Sequence, residues 1–232
     1  MISAKTTTYT YDDAGNRTYK GIDTDGNAID DEYWVTDVSE DGLNHIESIT
    51  DHSGAVVTFD YDLEGNRTHR AAGATTRTYD YDRENRLLSV TEGTSQWRYD
   101  YDYRTRRVMR EENGQPERIS FSGGTSVQEY TAASNFTPTV EYIRGSDLGG
   151  GIGGILYSVR GGTASFAHYN ARGDVVAKSG STGALTWQAR YEGFGSRTAE
   201  IGTNPDKQRA NTREEEVWGG LYENMRWRDL ET

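Results

Sequence analysis

Aromatic and polar positions alternate along much of this chain, and the alternating runs stop at turns built on Gly, Asn or Asp. In Phe59-Asp60-Tyr61-Asp62 a period of two puts Phe59 and Tyr61 on one face of a strand and the aspartates on the other. Leu63-Glu64-Gly65-Asn66 then reverses the chain. Gly65 and Asn66 accept the positive φ of a tight turn, and the Asp62 carboxylate can accept hydrogen bonds from amides just ahead of it. A strand resumes after the reversal, as in Arg86-Leu87-Leu88-Ser89-Val90-Thr91. The unit is a β-hairpin.

The same phrase is written three times: FDYDLEGNRTHR, TYDYDRENRLLSV and RYDYDYRTRRVMREENG. Tyr61, Tyr81 and Tyr101 fall 20 residues apart, followed by Asp62, Asp82 and Asp102. An earlier copy, YTYDDAGNRTYK, sets Tyr11, Asp12, Gly15, Asn16 and Arg17 in the corresponding order. A fixed period of this size signals a repeat architecture. One hairpin cannot bury its own aromatic face, so successive hairpins are expected to stack side by side into a continuous sheet. The predicted fold class is all-β: stacked antiparallel hairpins in a curved sheet.

Between and beyond the repeats, strands are predicted at Tyr33–Thr36, Asn44–Thr50, Gln128–Tyr130, Thr139–Arg144, Leu156–Arg160 and Trp187–Tyr191. Asn113-Gly114 marks a strong hairpin turn. His168 to Val176 reads as a variant repeat. Thr212 followed by Glu215 fits either the cap of a short helix through Glu216 or a polar loop. Trp218, Leu221, Tyr222 and Trp227 are expected to pack as an apolar plug on the sheet.

Composition narrows the functional classes. Hydrophobic residues make up only 33% of the 232, which suits a thin sheet with one solvated face in which tyrosine does much of the burying. A net charge of -12 argues against nucleic acid as a partner, since phosphate binding needs a basic surface. The absence of cysteine excludes disulfides and thiolate metal sites. No apolar run opens the chain as a signal peptide would, and none approaches a membrane-spanning length.

The phrases YDLEGNRT, YDRENRLLSV and YDYRTRRV resemble the tyrosine-aspartate (YD) repeats of the Rhs family, which includes toxin-complex C components and teneurins. EYIRGSDLGGGIGGIL, HYNARGDVVA, ARYEGFG and RANTREEEVWGGLYENMRWRDLET resemble the Rhs-associated core that follows those repeats in the family. The resemblance divides the chain into YD-repeat hairpins over residues 1–112, with a divergent insertion at 21–44, and a core-like region over 113–232. Asn85 and Thr105 stand where the family commonly has glycine, so a slightly different turn is expected at each. The structural repeat residues implied are Tyr11, Asp12, Gly15, Asn16, Arg17, Tyr61, Asp62, Gly65, Asn66, Arg67, Tyr81, Asp82, Asn85, Arg86, Tyr101, Asp102 and Arg107.

What the resemblance implies is a structural segment of a spiral shell that encapsulates a C-terminal toxin, secreted or at the cell surface. Its partners would be the remainder of the shell and the cargo, with carbohydrate binding or cell-surface adhesion as the alternative. The autocleavage aspartates and toxin of the family would lie past Asp229-Leu230-Glu231-Thr232, so the sequence reads as the last part of a shell, cut from a longer protein or encoded as a remnant.

No residue is assigned to catalysis, cofactor or metal. Asp60 with Asp62, and Asp80 with Asp82, recur with every repeat as structural residues do, whereas a glycosidase pair would occur once. Asp23 to Glu32 carries carboxylates at calcium-like spacing, but Gly21 would fall at the first ligand position, so a solvated turn is favoured. Gly149, Gly151 and Gly154 spell G-x-G-x-x-G ahead of a strand rather than a helix, which favours a hairpin over a dinucleotide site. His45, His52, His69 and His168 are too scattered for a metal set. Arg17, Arg67, Arg86 and Arg107 are expected to pair with the repeat aspartates and fix register.

Overall fold

A computed structural model describes residues 5–39, 44–134, 136–145, 154–223 and 227–229. It is all-β and antiparallel, in two compact units, Met1–Gln96 and Trp97–Glu231. In the first unit, β1 (Thr6–Tyr11), β2 (Arg17–Asp23), β3 (Glu32–Val38), β4 (Ile46–Asp51), β5 (Val56–Tyr61), β6 (Arg67–Ala72), β7 (Thr75–Tyr81) and β8 (Leu87–Glu92) pair in chain order. The unit boundary falls inside β9 (Ser95–Tyr101). The second unit continues with β10 (Arg107–Glu112), β11 (Gln115–Ser122), β12 (Thr125–Thr131), β13 (Val140–Arg144), β14 (Ile155–Arg160), β15 (Thr163–Tyr169), β16 (Val175–Ser179), β17 (Leu185–Tyr191) and β18 (Arg197–Gly202). These also pair in order. A small separate sheet joins β19 (Glu214–Glu215), β20 (Gly220–Tyr222) and β21 (Trp227–Asp229).

One turn recurs at the repeat phrases. The Asp62 amide donates to the Asn66 carbonyl (2.9 Å) and the Gly65 amide donates back to the Asp62 carbonyl (3.1 Å). Equivalent pairs close the turns at Asp12, Asp82, Asp102, Asn170 and Glu192. The Asp62 carboxylate accepts from the Glu64 and Asn66 amides (3.0 and 2.8 Å), which is the local competition with strand pairing that stops β5. Asn85 and Thr105 do not change the turn. They adopt the left-handed conformation of their glycine counterparts, at φ 59° each, against 84° at Gly65. Asparagine is suited to that region; a β-branched threonine is strained in it.

The side chain four residues past the aspartate decides how each turn is tied. Asn16 and Asn66 donate to Asp12 and Asp62 (2.8 and 2.9 Å), while Arg86 and Arg106 do so for Asp82 and Asp102 (2.7 Å each). The expected pairing therefore holds for Arg86 but not for Arg107. Arg106 takes the aspartate, and Arg107 lies one position further along, pointing into the protein. Arg67, in the same position as Arg107, lies over the Phe59 ring at 4.1 Å. Neighbouring turns also clasp one another: Asn66 donates to Asn85 (2.9 Å), Asn16 to Asn44 (2.5 Å), and Arg106 to the Gly123 carbonyl (2.7 Å).

The aromatic alternation has two separate uses. The residue two before the repeat tyrosine is the buried one, as at Phe59, Tyr79 and Tyr99. Tyr11 is exposed, whereas three later tyrosines at this place are half-buried and spend their hydroxyls on the preceding strand: Tyr61 on the Ile46 carbonyl (3.0 Å), Tyr169 on Ile155 (2.5 Å) and Tyr191 on Val175 (2.9 Å). A phenylalanine would bury as well but leave that carbonyl unbonded.

After the aspartate, positions five and eight face inward. Leu87 and Val90 fill them in one repeat, Arg107 and Arg110 in the next, and Val175 and Lys178 in the variant repeat after Asn170. These six side chains are all buried. The 3-10 turn at Ala210–Thr212 and β19 replace the short helix considered for Thr212–Glu216; Asn211 and Thr212 take positive φ, which stops helix propagation.

Two expected outcomes test this account. Replacing Thr105 by Gly relieves the left-handed strain and raises stability by about 1 kcal/mol, read as a higher urea midpoint at unchanged slope. Replacing Tyr61 by Phe lowers stability by about 1 kcal/mol in the same assay.

Candidate functional site

The densest chemistry lies in the second unit, where residues 204–222 cover the inward face of the strands. Arg107 is 0% exposed and its guanidinium donates to Glu216 (2.8 Å) and to Glu214. Three rings surround it, Tyr222 at 4.3 Å, Trp227 at 5.2 Å and Tyr99 at 5.3 Å. The Tyr222 hydroxyl also accepts from the Arg107 amide (3.1 Å). Arg110 pairs with Glu117 (2.7 Å), Glu129 (2.8 Å) and Glu214 (3.1 Å), so Glu214 is shared by both arginines. Lys207 closes the set on Glu216 at 2.8 Å. Glu129, also fully enclosed, accepts a further hydrogen bond from the Tyr142 hydroxyl (2.7 Å).

A second buried centre forms on Asp206. It accepts from Lys178 (2.5 Å), Ser158 (2.6 Å) and Arg160 (3.0 Å). Burial raises the Asp206 carboxyl, but Lys178, Ser158 and Arg160 outweigh it and hold the group below the usual carboxylate range. Burial likewise pushes Glu216 up, and Arg107, Lys207 and Arg110 bring it down to about 2. Both acids stay ionised, as buried acids with several donors do.

Around these charges the apolar plug packs as the sequence indicates. Trp218, Leu221 and Tyr222 are buried, and the Trp218 indole N–H donates to the Tyr99 hydroxyl (2.7 Å). Trp227 stacks at a tilt against Tyr99, Trp218 and Tyr222, with centroids 4.9, 5.1 and 5.2 Å away. Gly220 makes this possible: a Cβ there would sit 2.0 Å from the Trp218 ring.

Every cation at these centres has a carboxylate. The arrangement does the work of a latch. It bonds the 204–222 segment to strands β10, β14 and β16 through charge-assisted hydrogen bonds. In the sequence Arg107 reads only as a turn residue and Glu216 only as the end of a short helix, and nothing there marks Arg110, Glu129, Lys178, Asp206 or Glu214. The available signal was their repeat frame, in which Arg107 and Arg110 occupy the places of Leu87 and Val90.

Hairpins of this kind, stacked in order, occur in known proteins. No family model matches the chain. It aligns over 97% of its length with two solved structures of TcdB2-TccC3, one with Cdc42 (TM-score 0.51, 12% identity) and one without the hypervariable C-terminal region (TM-score 0.51, 13% identity). It spans 15% of each of those chains. The likeness is one of fold, stacked antiparallel YD-repeat hairpins. In sequence, 191 residues (82% of the chain) are 29% identical to the tRNA3(Ser)-specific nuclease WapA of Bacillus spizizenii, of which they cover 8%.

Other sequence candidates resolve simply within this YD-repeat fold. Asp23 accepts from the Asp25, Gly26 and Ala28 amides (3.1, 2.6 and 2.8 Å), and Asp31 accepts from the Thr24 amide and hydroxyl (2.8 and 2.5 Å). The carboxylates of Asp23, Asp25 and Asp31 lie near one another, and their hydrogen bonds account for the loop as a turn. Gly149 and Gly151 lie outside the described residues; Gly154 is buried and its carbonyl accepts from the Gly145 amide (3.0 Å). His45 stacks on Tyr61 at 4.3 Å, His69 is 3.9 Å from Asp60, and His168 bonds Ser179 at 2.8 Å. No described helix is long and apolar enough to cross a membrane.

The latch has a defined acid limit. Glu216 has a depressed folded value, so its contribution is fully present above about pH 4.5 and is lost as pH falls toward about 2. The loss is on the order of 3 kcal/mol. In Glu216→Gln this acid limb flattens, and stability at neutral pH drops by about 3–5 kcal/mol because Arg107 keeps its charge with one partner fewer. Urea unfolding from pH 2 to 7 measures both.

Proposed function

We propose that the chain is a stretch of wall in an Rhs-type shell that encloses a C-terminal toxin. One observation carries this reading. Strands pair with their immediate neighbours in chain order, and the aspartate-type turn, the tyrosine-to-carbonyl bond and the inward slots recur along the chain. A wall assembled that way can be lengthened repeat by repeat without a central core, which is what enclosing a volume requires. The division at residue 112 and the structural roles of the repeat residues from Tyr11 to Arg107 belong to this proposal. So does the absence of catalysis, since the aspartates recur as turn residues. The nuclease activity in the name of WapA is that protein's.

The carbohydrate alternative draws less support. Tyr61 is covered by His45 on its ring and committed to Ile46 by its hydroxyl, which leaves little for a sugar to stack on.

The test is protease protection in the native gene product that contains this stretch. A product much larger than 25.9 kDa, whose C-terminal part resists a protease that digests the same part when free, is the expected result. A free-standing product of that mass, or equal digestion in both settings, sinks the proposal.

A further inference from the structure

At the end of the second unit where β9 begins and β10 ends, a cleft of about 690 Å³ opens beside the latch. Its size is that of a small-ligand or side-chain pocket. Register places its floor on one face of the sheet: Trp97 lies directly across from Glu112, and Glu112 directly across from Gln115. The next row on that face is Tyr99, Arg110 and Glu117. All six residues line the cleft.

Charge in the cleft is unevenly satisfied. Arg110 is committed to Glu117, Glu129 and Glu214, and Lys207, also in the lining, to Glu216. Of the half-buried acids in the lining, Glu111 has no side-chain ion pair or hydrogen bond with any described residue, and neither has Glu112. Across from it, Trp97 is only 5% exposed, and its indole N–H is buried without an acceptor. The cleft therefore offers uncompensated carboxylates, with the enclosed Trp97 across the register from Glu112. Its aromatic rings are too enclosed to stack on a sugar: Tyr99 is 2% exposed.

We propose that this cleft binds a basic side chain of a polypeptide, its ammonium or guanidinium on the Glu112 carboxylate. Arginine suits the site better than lysine, because its planar fork can engage the Glu112 carboxylate and the Gln115 amide oxygen together. The site depends on the second unit's own geometry and not on the shell reading.

The probe is the peptide acetyl-Gly-Arg-Gly-amide, titrated into the full chain labelled with ¹⁵N. The Trp97 indole resonance is identified by its loss in Trp97→Phe. A saturable shift of that resonance is expected with the arginine peptide, and none with the citrulline peptide at equal concentration. Glu112→Gln, an isosteric change at a half-buried position, should weaken binding at least about tenfold while the rest of the spectrum keeps its dispersion. No shift up to millimolar peptide, an equal shift with citrulline, or unchanged affinity in Glu112→Gln each overturns the proposal.

Discussion

Two buried arginines set the terms for the second unit. Arg107 and Arg110 sit in inward slots that the preceding repeat fills with Leu87 and Val90. An aliphatic side chain there needs only packing. A guanidinium needs carboxylates, because leaving one buried and unpaired costs several kcal/mol. Glu129 and Glu117 come from the neighbouring strands, but Glu214 and Glu216 come from more than a hundred residues away. The covering segment is thus required by the sheet it covers. Swapping the pairs for well-packed aliphatics could equally give a stable core, so their service is to specify one seating of 204–222.

Local contacts deal with register before any such long-range bond forms. Each turn is closed by backbone bonds plus an aspartate, and the residue four further on either returns to that aspartate or reaches the next turn. Because a slip of one residue would send every inward slot to the other face, these ties protect the buried charges as well as the strands. The tyrosine hydroxyls add a bond from the end of one strand to the start of the previous one. Those carbonyls lie beside turns, where the ladder has run out of partners.

The hairpins were legible because period-two alternation and turn residues are local signals. Asn113-Gly114 and the YD turns needed no tertiary information. Asn85 and Thr105 misled slightly: the backbone bonds around Asp82 and Asp102 impose the left-handed turn whatever residue stands there. The latch was illegible for a different reason. Arginine, lysine and glutamate read as solvated, and nothing adjacent to Arg107 in sequence announces Glu216. Only the repeat frame, placing Arg107 over Leu87 and Arg110 over Val90, could have marked them as core positions. The one apolar part of the latch, Trp218 to Trp227, was the part that could be read directly.

The same substitution explains why so polar a chain has an interior. A mean hydropathy of -0.87 would ordinarily signal too little apolar surface to fold. Here several inward slots hold cations whose long stems pack like aliphatics while their heads meet acids. Arg107 does both, its guanidinium in contact with three aromatic rings and two carboxylates. Hydropathy counts each of these residues as exposed, and the fold buries them in matched sets. Low hydrophobic content in this chain therefore reflects a core written partly in charge, and Glu112, an acid facing a cleft without a match among the described residues, stands out against that rule.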